Sequence, residues 1–287
     1  MAEAQIANRE QTLAGGNFYG AVQRKVEMHQ AIFTDLQHTS ARKLPAHAHE
    51  LPFFGLLLAG SYGETYRRQQ KQFASFTIMF RPAGVPHQDE IGPDGVRFFE
   101  IEVRSDWGKR IQDCSGTLSL ACDDCEGGEL TWLGMKLFRE TRGPMPADDL
   151  CIESLLSEML ALVARMPGET VRDSPRWLGR VTERLRSDYC DRLTLDQLGR
   201  EAGIHPVHLS RVFRKCNGEG IGDYIHRLRI RKACEQMLEP ESTLADIGFA
   251  TGFADQSHFT RIFRKVTGTS PNVFRQLVLA GAGIRAY

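Results

Sequence analysis

The feature that most constrains this chain is an internal repeat in its C-terminal third. The stretches AGIHPVHLSRVFRK (202–215) and TGFADQSHFTRIFRK (251–265) share a small residue, a glycine and an apolar residue, and both end in Arg-apolar-Phe-Arg-Lys. A glycine after an amphipathic segment can end one helix in a left-handed turn before a second helix starts. Each copy therefore predicts two short helices joined by a tight turn, the helix-turn-helix pattern.

In the first copy, Thr194 is predicted to cap the first helix, Gly203 to end it and Pro206 to start the second. In the second copy, Gly252 is predicted to make the turn. The apolar residues expected to be buried in the two motifs are Leu195, Leu198, Ala202, Leu209, Val212, Phe213, Leu244, Ile247, Ala250, Phe259, Ile262 and Phe263. An amphipathic helix over 222–238 would hold the motifs at a fixed separation. Two recognition helices can then enter successive major grooves, about 34 Å apart.

The charges are unevenly distributed. The chain has 36 basic and 36 acidic residues, but residues 176–287 contain 18 basic and 12 acidic ones, which leaves the preceding part with a net charge of −6. A basic half beside an acidic half is typical of a nucleic-acid-binding module joined to a domain that does not contact phosphate.

The stretch from Leu193 to Arg275 resembles the DNA-binding domain of the AraC/XylS family, through AGIHPVHLSRVFRK, YIHRLRIRKA and LADIGFATGFADQSHFTRIFRKVTGTSPNVFR. The resemblance implies sequence-specific binding of double-stranded DNA and regulation of transcription, with contact to RNA polymerase if the protein is an activator. By position, the base-contacting residues would be Val207, Ser210, Arg211, Gln256, Ser257, Thr260 and Arg261. Phosphate contacts would come from Arg214, Lys215, Arg264 and Lys265. Val207 and Ser210 are short, so the second motif is expected to read more bases than the first.

The N-terminal part has a different character. AIFTDL, LPFFGLLL, FTIMF and VRFFEIEV, within 30–103, predict strands of a β-sandwich or barrel, and helical periodicity follows in 128–141 and 147–166. The polar stretch PGETVRDSP (167–175) is predicted to be a linker. The expected fold is therefore α+β, with domains at 1–166 and 176–287 and motifs at about 193–216 and 243–266.

The helix at 147–166 admits two interpretations. Its apolar residues recur at a 4-3-4-3 spacing, namely Ile152, Leu156, Met159, Val163 and Met166. That spacing is typical of a short coiled-coil seam, which predicts a homodimer through 147–166. The alternative is a helix that packs on its own β-domain.

PAHAHE (45–50) and FRPAGVPH (80–87) resemble the two cupin motifs. His47, His49 and His87 would then converge inside a barrel, where three imidazoles can bind Zn²⁺, Fe²⁺ or Ni²⁺. The cupin motif expects an acidic ligand a few residues after the second histidine, but Phe53 and Phe54 occupy that region. The sequence therefore predicts a small-molecule effector and neither a metal nor a cofactor. The predicted effector pocket comprises His47, His49, His87, Tyr62, Glu64, Tyr66 and Arg81.

The remaining features define the competing classes. Cys122 and Cys125 form a C-x-x-C pair, either a thiol sensor or soft-metal site or two unrelated loop cysteines, and we favour the latter because the intervening aspartates raise thiol pKa values. With no apolar run of about 20 residues and no signal-like N-terminus, a cytoplasmic protein without membrane contact is expected. A non-enzymatic regulator is the leading hypothesis. The alternatives are a metal-dependent cupin enzyme and an architectural DNA-binding protein without a ligand.

Overall fold

The computed structural model describes residues 11–66, 69–104, 125–142, 149–165, 175–239 and 241–279. The chain divides into two compact units, residues 1–126 with 133–168 and residues 127–132 with 169–287. The first is rich in strands and the second is helical, so the predicted α+β class is confirmed. The predicted linker lies outside the described residues except for Pro175, and the predicted domain boundaries stay a prediction.

The described part of the first unit contains one ten-stranded sheet. Its strands are β1 (Gln11–Leu13), β2 (Ala21–Glu27), β3 (Ala31–His38), β4 (Arg42–Lys43), β5 (His47–His49), β6 (Phe53–Tyr66), β7 (Gln69–Phe73), β8 (Thr77–Arg81), β9 (His87–Val103) and β10 (Cys125–Glu126). The four apolar segments of the sequence become β3, β6, β8 and β9, and their prediction as strands is confirmed. The structure extends β6 and β9 well beyond the apolar runs that predicted them.

The two long strands organise the sheet. β6 and β9 run antiparallel over most of their length, β9 also pairs with β3, β4 and β5, and β6 also pairs with β7 and β8. The β6–β9 register shifts twice, between Leu57 and Ala59 and between Gly60 and Tyr62. Such bulges bend the paired strands, and the sheet curls into a cupin-like half-barrel. The register also sets His47 directly opposite His87.

The sequence did not predict β2. AVQRKVE carries charged side chains, is exposed or half-buried throughout, and pairs with β3 at the margin of the sheet. A strand without a buried face lacks the alternation of apolar and polar residues by which strands are detected.

Two helices follow the strands along the chain, α1 (Glu129–Glu140), of which residues 133–140 belong to the first unit, and α2 (Asp149–Arg165). The seam residues Ile152, Leu156, Met159 and Val163 are at most 2% exposed within the single chain. These four side chains do not form the predicted dimer seam, because the chain's own core already covers them, and a homodimer through other residues of 147–166 stays a prediction. The alternative, a helix that packs within its own chain, is confirmed. Met166 lies outside the described residues, as do residues 147 and 148.

The described helices of the second unit after residue 175 are α3 (Arg176–Ser187), α4 (Leu195–Ala202), α5 (Pro206–Asn217), α6 (Ile221–Gln236), α7 (Leu244–Ala250), α8 (Gln256–Thr267) and α9 (Pro271–Leu279). A core of α3, α4, α5 and α6 surrounds Phe213, which is fully buried. Two predictions of burial are wrong: Leu195 is 42% exposed and Ala250 is exposed. Helices this short turn one narrow face to the core, and Leu198 and Ile247 occupy that face.

Candidate nucleic-acid interface and cavity site

The first helix-turn-helix motif is fixed by capping interactions. The Thr194 hydroxyl accepts from Gln197 N (3.2 Å), and the Gln197 side chain accepts from Thr194 N (2.9 Å), so α4 begins with a capping box. Gly203 then adopts the left-handed conformation (φ 68°) and ends α4. His205 Nδ1 accepts from Val207 N (3.4 Å) ahead of Pro206 at the start of α5. The predicted roles of Thr194, Gly203 and Pro206 are confirmed.

The outward face of α5 holds the residues predicted to contact DNA in the first motif. Val207 is 71% exposed, Arg211 is exposed, and Ser210 is half-buried. Arg211 Nη2 lies 3.2 Å from His208 Nδ1 on the same helix. Arg214 and Lys215 are exposed in the last turn. The first motif therefore presents an apolar side chain where α5 begins, and its central arginine contacts a neighbour on its own helix.

The second motif repeats this construction with a charged cap. Thr243 Oγ1 accepts from Asp246 N (3.1 Å) at the start of α7, and Gly252 makes the turn at φ 84°. Asp255 Oδ1 accepts from His258 N (2.7 Å), so a carboxylate caps the recognition helix α8. Phe259, Ile262 and Phe263 anchor α8, as predicted.

The outward face of α8 forms one open concave surface. It is lined by the four residues predicted to read bases in this motif and by one predicted phosphate contact: Gln256, Ser257, Thr260, Arg261 and Arg264. All are exposed except Thr260, which is half-buried. Among the residues that the structure describes, no ion-pair partner is found for Arg261 or Arg264, whereas Lys265 Nζ lies 3.1 Å from Asp223. The surface presents the donor and acceptor groups that major-groove readout uses.

In the first unit, the three predicted histidines do converge. His47 and His49 on β5 and His87 at the start of β9 are buried, and each offers a ring nitrogen within 4.8 Å of the others. The rings of His47 and His87 lie 4.4 Å apart between centroids. Asp89 joins the cluster, with carboxylate oxygens 3.7 Å from His47 Nε2 and 3.8 Å from His87 Nε2. The sequence analysis missed Asp89, although the two-residue period of β9 places it on the same face as His87.

Backbone carbonyls orient two of these rings. His47 Nδ1 lies 2.9 Å from Pro45 O and His87 Nδ1 lies 3.4 Å from Val85 O. A carbonyl oxygen only accepts, so each Nδ1 carries the proton that it donates. Burial, together with the neighbouring His87, lowers the pKa of His47 and lowers that of His49 to about 2. His47 and His49 are therefore neutral at pH 7.

The cluster borders a small cavity. Its free volume is about 30 Å³, and its walls include His47, His49, His87, Tyr62 and Glu64 from the predicted pocket. Apolar and aromatic side chains complete the walls, among them Phe18, Tyr19, Leu36, Met79, Ile91 and Phe98. The Tyr62 hydroxyl donates to Asp89 Oδ1 (2.7 Å). Burial raises the pKa of Glu100, another wall residue, so this carboxyl favours its protonated form.

Two residues of the predicted pocket do not line it. Arg81 binds Glu64 through Nε, 2.8 and 3.1 Å from the carboxylate oxygens, and its guanidinium lies over the Tyr66 ring, 4.4 Å from the centroid. A buried ion pair and a cation–π contact hold Tyr66 and Arg81, and their assignment to an effector pocket stays a prediction. Glu64 connects this pair to the cavity wall.

The predicted cysteine pair cannot be placed. Cys122 lies outside the described residues, and the Cys125 side chain is not described. Within the part of the chain that is described, no helix is both long and apolar enough to cross a membrane.

Two capped helix pairs with exposed second helices define a DNA-binding protein of the helix-turn-helix class. The helix-turn-helix domain family matches residues 198–277. The bifunctional transcriptional activator/DNA repair enzyme AdaA of Bacillus subtilis is 30% identical over 109 residues, 38% of this chain and 51% of AdaA. The chain thus spans about half of that relative. The probable transcription factor PqrA of Proteus vulgaris is 30% identical over 111 residues, 39% of this chain and 87% of PqrA.

Among solved structures, ToxT from Vibrio cholerae aligns over 86% of this chain and 98% of its own, at 11% identity and a TM-score of 0.37. Because the match to PqrA covers most of that relative, the chain belongs to the AraC/XylS family of transcription regulators.

Proposed function

We propose that this regulator binds one DNA duplex through both helix-turn-helix motifs and responds to a small effector held by its N-terminal unit. The observation that carries the proposal is the concave surface of α8, where Gln256 and Arg261 are exposed on the first two turns. Glutamine and arginine are the side chains that pair bidentately with adenine and guanine in the major groove. The first turns of a recognition helix are the part that reaches base edges.

The two motifs contribute unequally in this proposal. In α5, Val207 offers only an apolar contact, which suits a thymine methyl group, and Arg211 has to leave His208 to reach a base. In α8, Arg261 has no such neighbour among the described residues. The second motif therefore reads most of the sequence, and the first supplies position and a minority of base contacts. Arg214, Lys215, Arg264 and Lys265 contribute phosphate contacts.

In-vitro selection from a randomised duplex library with the full chain tests this function. We expect an enriched site with two unequal half-sites whose centres are about one helical turn, 10–10.5 base pairs, apart. Affinity for the selected site should fall steeply as salt rises, because bound phosphates release counterions. Failure to enrich any sequence, under conditions where the chain is folded, would contradict the proposal.

The effector is proposed to bind in the half-barrel cavity. Pockets for organic ligands usually measure about 300–1,000 Å³, and this cavity has a free volume of about 30 Å³. An organic effector would therefore have to displace wall side chains. Three aromatic wall residues pack against the histidines: the ring centroids of Phe18 and Phe53 each lie 4.6 Å from that of His49, and the centroid of Tyr19 lies 5.0 Å from that of His47. No catalytic step is assigned to the cavity.

A divalent metal ion is the second candidate effector, and it fits the existing volume. His47, His49, His87 and Asp89 would hold it. Nδ1 of His47 and of His87 already donates to a backbone carbonyl, which is how the second ring nitrogen of a metal-binding histidine is usually held. His49 Nδ1 is buried and has no hydrogen-bond partner among the described residues. Three imidazoles and a carboxylate suit Zn²⁺, Fe²⁺ or Ni²⁺. A bound ion would supply positive charge opposite Asp89.

A further inference from the structure

Arg229 on α6 connects the two helix-turn-helix motifs through main-chain carbonyls. Its Nε donates to Tyr189 O (2.7 Å), and its Nη2 donates to Asp191 O (3.1 Å), in the segment between α3 and the first motif. Its Nη1 donates to Gly252 O (2.5 Å), in the turn of the second motif. One guanidinium group therefore binds two segments of the chain, one that precedes α6 in the sequence and one that follows it.

The same two segments touch directly. A Cβ atom on Gly252 would lie 2.5 Å from Cys190 O and 2.9 Å from Cys190 Cα, closer than side-chain carbons approach other atoms. Gly252 is therefore required for this contact as well as for its positive φ. The Cys190 thiol adds a contact of 3.3 Å to Ala250 O at the end of α7. The backbone in the turn of the second motif thus packs directly against the backbone that leads into the first motif.

The position of the guanidinium is electrostatically favourable. Tyr189 and Gly252 each follow the carboxyl end of a helix, α3 and α7, where carbonyl oxygens lack helical partners and carry partial negative charge. Arg229 is half-buried, and burial lowers its pKa, but the nearby Cys190 and Asp191 oppose this shift. The side chain is held by acceptors that are fixed in the backbone, so it constrains the segments themselves.

We infer that Arg229 is a positioning residue that sets the separation and orientation of α5 and α8, so that both recognition helices meet the same DNA. The inference rests on the proposed function, since it concerns two motifs that bind one duplex. Arg229 lies on the linker helix and contacts no base in this proposal. Loss of Arg229 would widen the range of half-site spacings that the protein accepts. The base preference of each motif would stay the same.

The test measures how the full chain tolerates altered half-site spacing. Wild type, Arg229→Lys and Arg227→Lys are titrated against the selected duplex and against the same duplex with five base pairs, about half a helical turn, inserted between the half-sites. Lysine keeps the charge but places its donors on a single nitrogen, so it does not bridge both segments. Arg227 is the matched control, because it lies on the same helix and its Nε binds Glu219 (2.8 Å), just before that helix.

Linked binding sites gain affinity only when both can be engaged, so wild type and Arg227→Lys should lose at least about tenfold in affinity on insertion. Arg229→Lys should bind the uninterrupted site more weakly and lose less than about threefold on insertion, because its motifs are no longer held at one spacing. Equal insertion penalties for Arg229→Lys and wild type would overturn the inference, even if the variant bound more weakly throughout. That pattern would mean a purely structural role.

A wild-type protein that selects a site but shows no insertion penalty would instead contradict the two-motif binding on which the inference rests. If Arg229→Lys lacks a cooperative thermal transition, Arg229→Gln replaces it, because the shorter amide side chain also cannot bridge both segments. It should lose less than about threefold on insertion, as expected for Arg229→Lys, and a penalty equal to that of wild type would overturn the inference.

Discussion

The Asp89 carboxylate lies 3.7 Å from His47 Nε2, in a buried cluster where desolvation and the neighbouring His87 lower the pKa of His47 and favour a neutral imidazole. A carboxylate that faces an unprotonated ring nitrogen receives no hydrogen bond from it. Tyr62 donates to Asp89 Oδ1, which also lies 3.8 Å from His87 Nε2, and Oδ2 faces His47. A cation between Asp89 and the rings would satisfy all of these groups together.

We therefore predict that metal-free protein binds a divalent transition-metal ion with one-to-one stoichiometry. At a free metal concentration of 100 times the dissociation constant, binding to the folded state adds about 2.7 kcal/mol to the free energy of unfolding. Thermal melts with Zn²⁺, Ni²⁺ or Fe²⁺ measure this rise. His49→Ala and Asp89→Asn should reduce it, and His29→Ala, at an exposed histidine outside the cluster, should not.

The metal prediction has a clear contrary outcome. Metal that stabilises the His49→Ala variant as much as wild type would show that the ion binds elsewhere. In that case, or if no ion binds at all, the organic effector remains as the proposal, and metabolite-dependent thermal shifts with wild type become the measurement that follows.

The two units differ in how much of their structure could be predicted from the sequence. Capping and turn chemistry are local, so the roles of Thr194, Gly203 and Gly252 follow from the residues themselves. The contacts of Arg229 join residues about 40 positions apart on one side and 23 on the other, and no local pattern signals them. The helical face that carries a side chain can be predicted from the sequence, but the carbonyl it binds across the fold cannot.

In the first unit, the apolar runs identified the central strands but not the residues that face the cavity. Tyr66 and Arg81 were assigned to the pocket by type, yet Arg81 is satisfied by Glu64 in a buried pair. Asp89 shows the opposite case, because strand alternation from His87 would have found it. The prediction of a coiled-coil seam failed because periodicity alone does not distinguish a helix face that is buried within the chain from one that is buried against a partner.

The difference between the two recognition helices predicts unequal effects of equivalent arginines. Arg261→Ala should cost about 1–3 kcal/mol at the selected site and relax base preference at one position, because a bidentate contact to guanine is lost. Arg211→Ala should cost less, since Arg211 already contacts His208 in the free protein. Titrations against the selected duplex and its single-base variants measure both effects.

Lys265→Ala is the control for simple loss of charge on α8. Lys265 lies 3.1 Å from Asp223 and is predicted to contact phosphate, so its removal should weaken binding to selected and scrambled duplexes by the same factor. If Arg261→Ala behaved like Lys265→Ala, with equal losses on both duplexes, the base-reading role of Arg261 would be wrong.

A buried ion pair in the half-barrel predicts a strong effect on folding that is independent of DNA. Asp35 accepts from Arg97 Nε (2.9 Å) and Nη2 (2.8 Å), both residues are buried, and Arg142 also binds this carboxylate. Asp35→Ala removes the buried carboxylate that accepts from Arg97, and breaking a buried ion pair costs about 3–5 kcal/mol. Urea titration measures the change in the free energy of unfolding.

Glu27→Gln is the comparison for Asp35, because Glu27 pairs with Lys25 (3.2 Å) and Arg104 (3.0 Å) at the exposed surface. Exposed pairs are screened by solvent, so this variant should unfold at nearly the wild-type urea concentration. An Asp35→Ala midpoint close to that of Glu27→Gln would refute the structural importance of the buried pair.

Glu102 predicts how stability depends on pH. Its Oε2 accepts from Gly16 N (2.6 Å), its Oε1 is buried without a partner among the described residues, and burial raises its pKa to about 7 against the ordinary 4.5. The folded state therefore holds this proton more tightly than the unfolded state does. The resulting stability is fully present below pH 4.5 and is lost as pH rises through 7, a difference of about 3 kcal/mol.

Glu102→Gln imitates the protonated carboxyl and should remove this contribution to the pH dependence. The variant should resemble wild type near pH 4.5 and exceed its free energy of unfolding at pH 8, because no buried charge then forms. Burial also raises the pKa of Glu100, which acts in the same direction, so the informative quantity is the difference between the variant and wild type at each pH. Urea titrations at pH 4.5, 6 and 8 provide it, and a difference that stays constant across this range would show that Glu102 does not titrate as its burial requires.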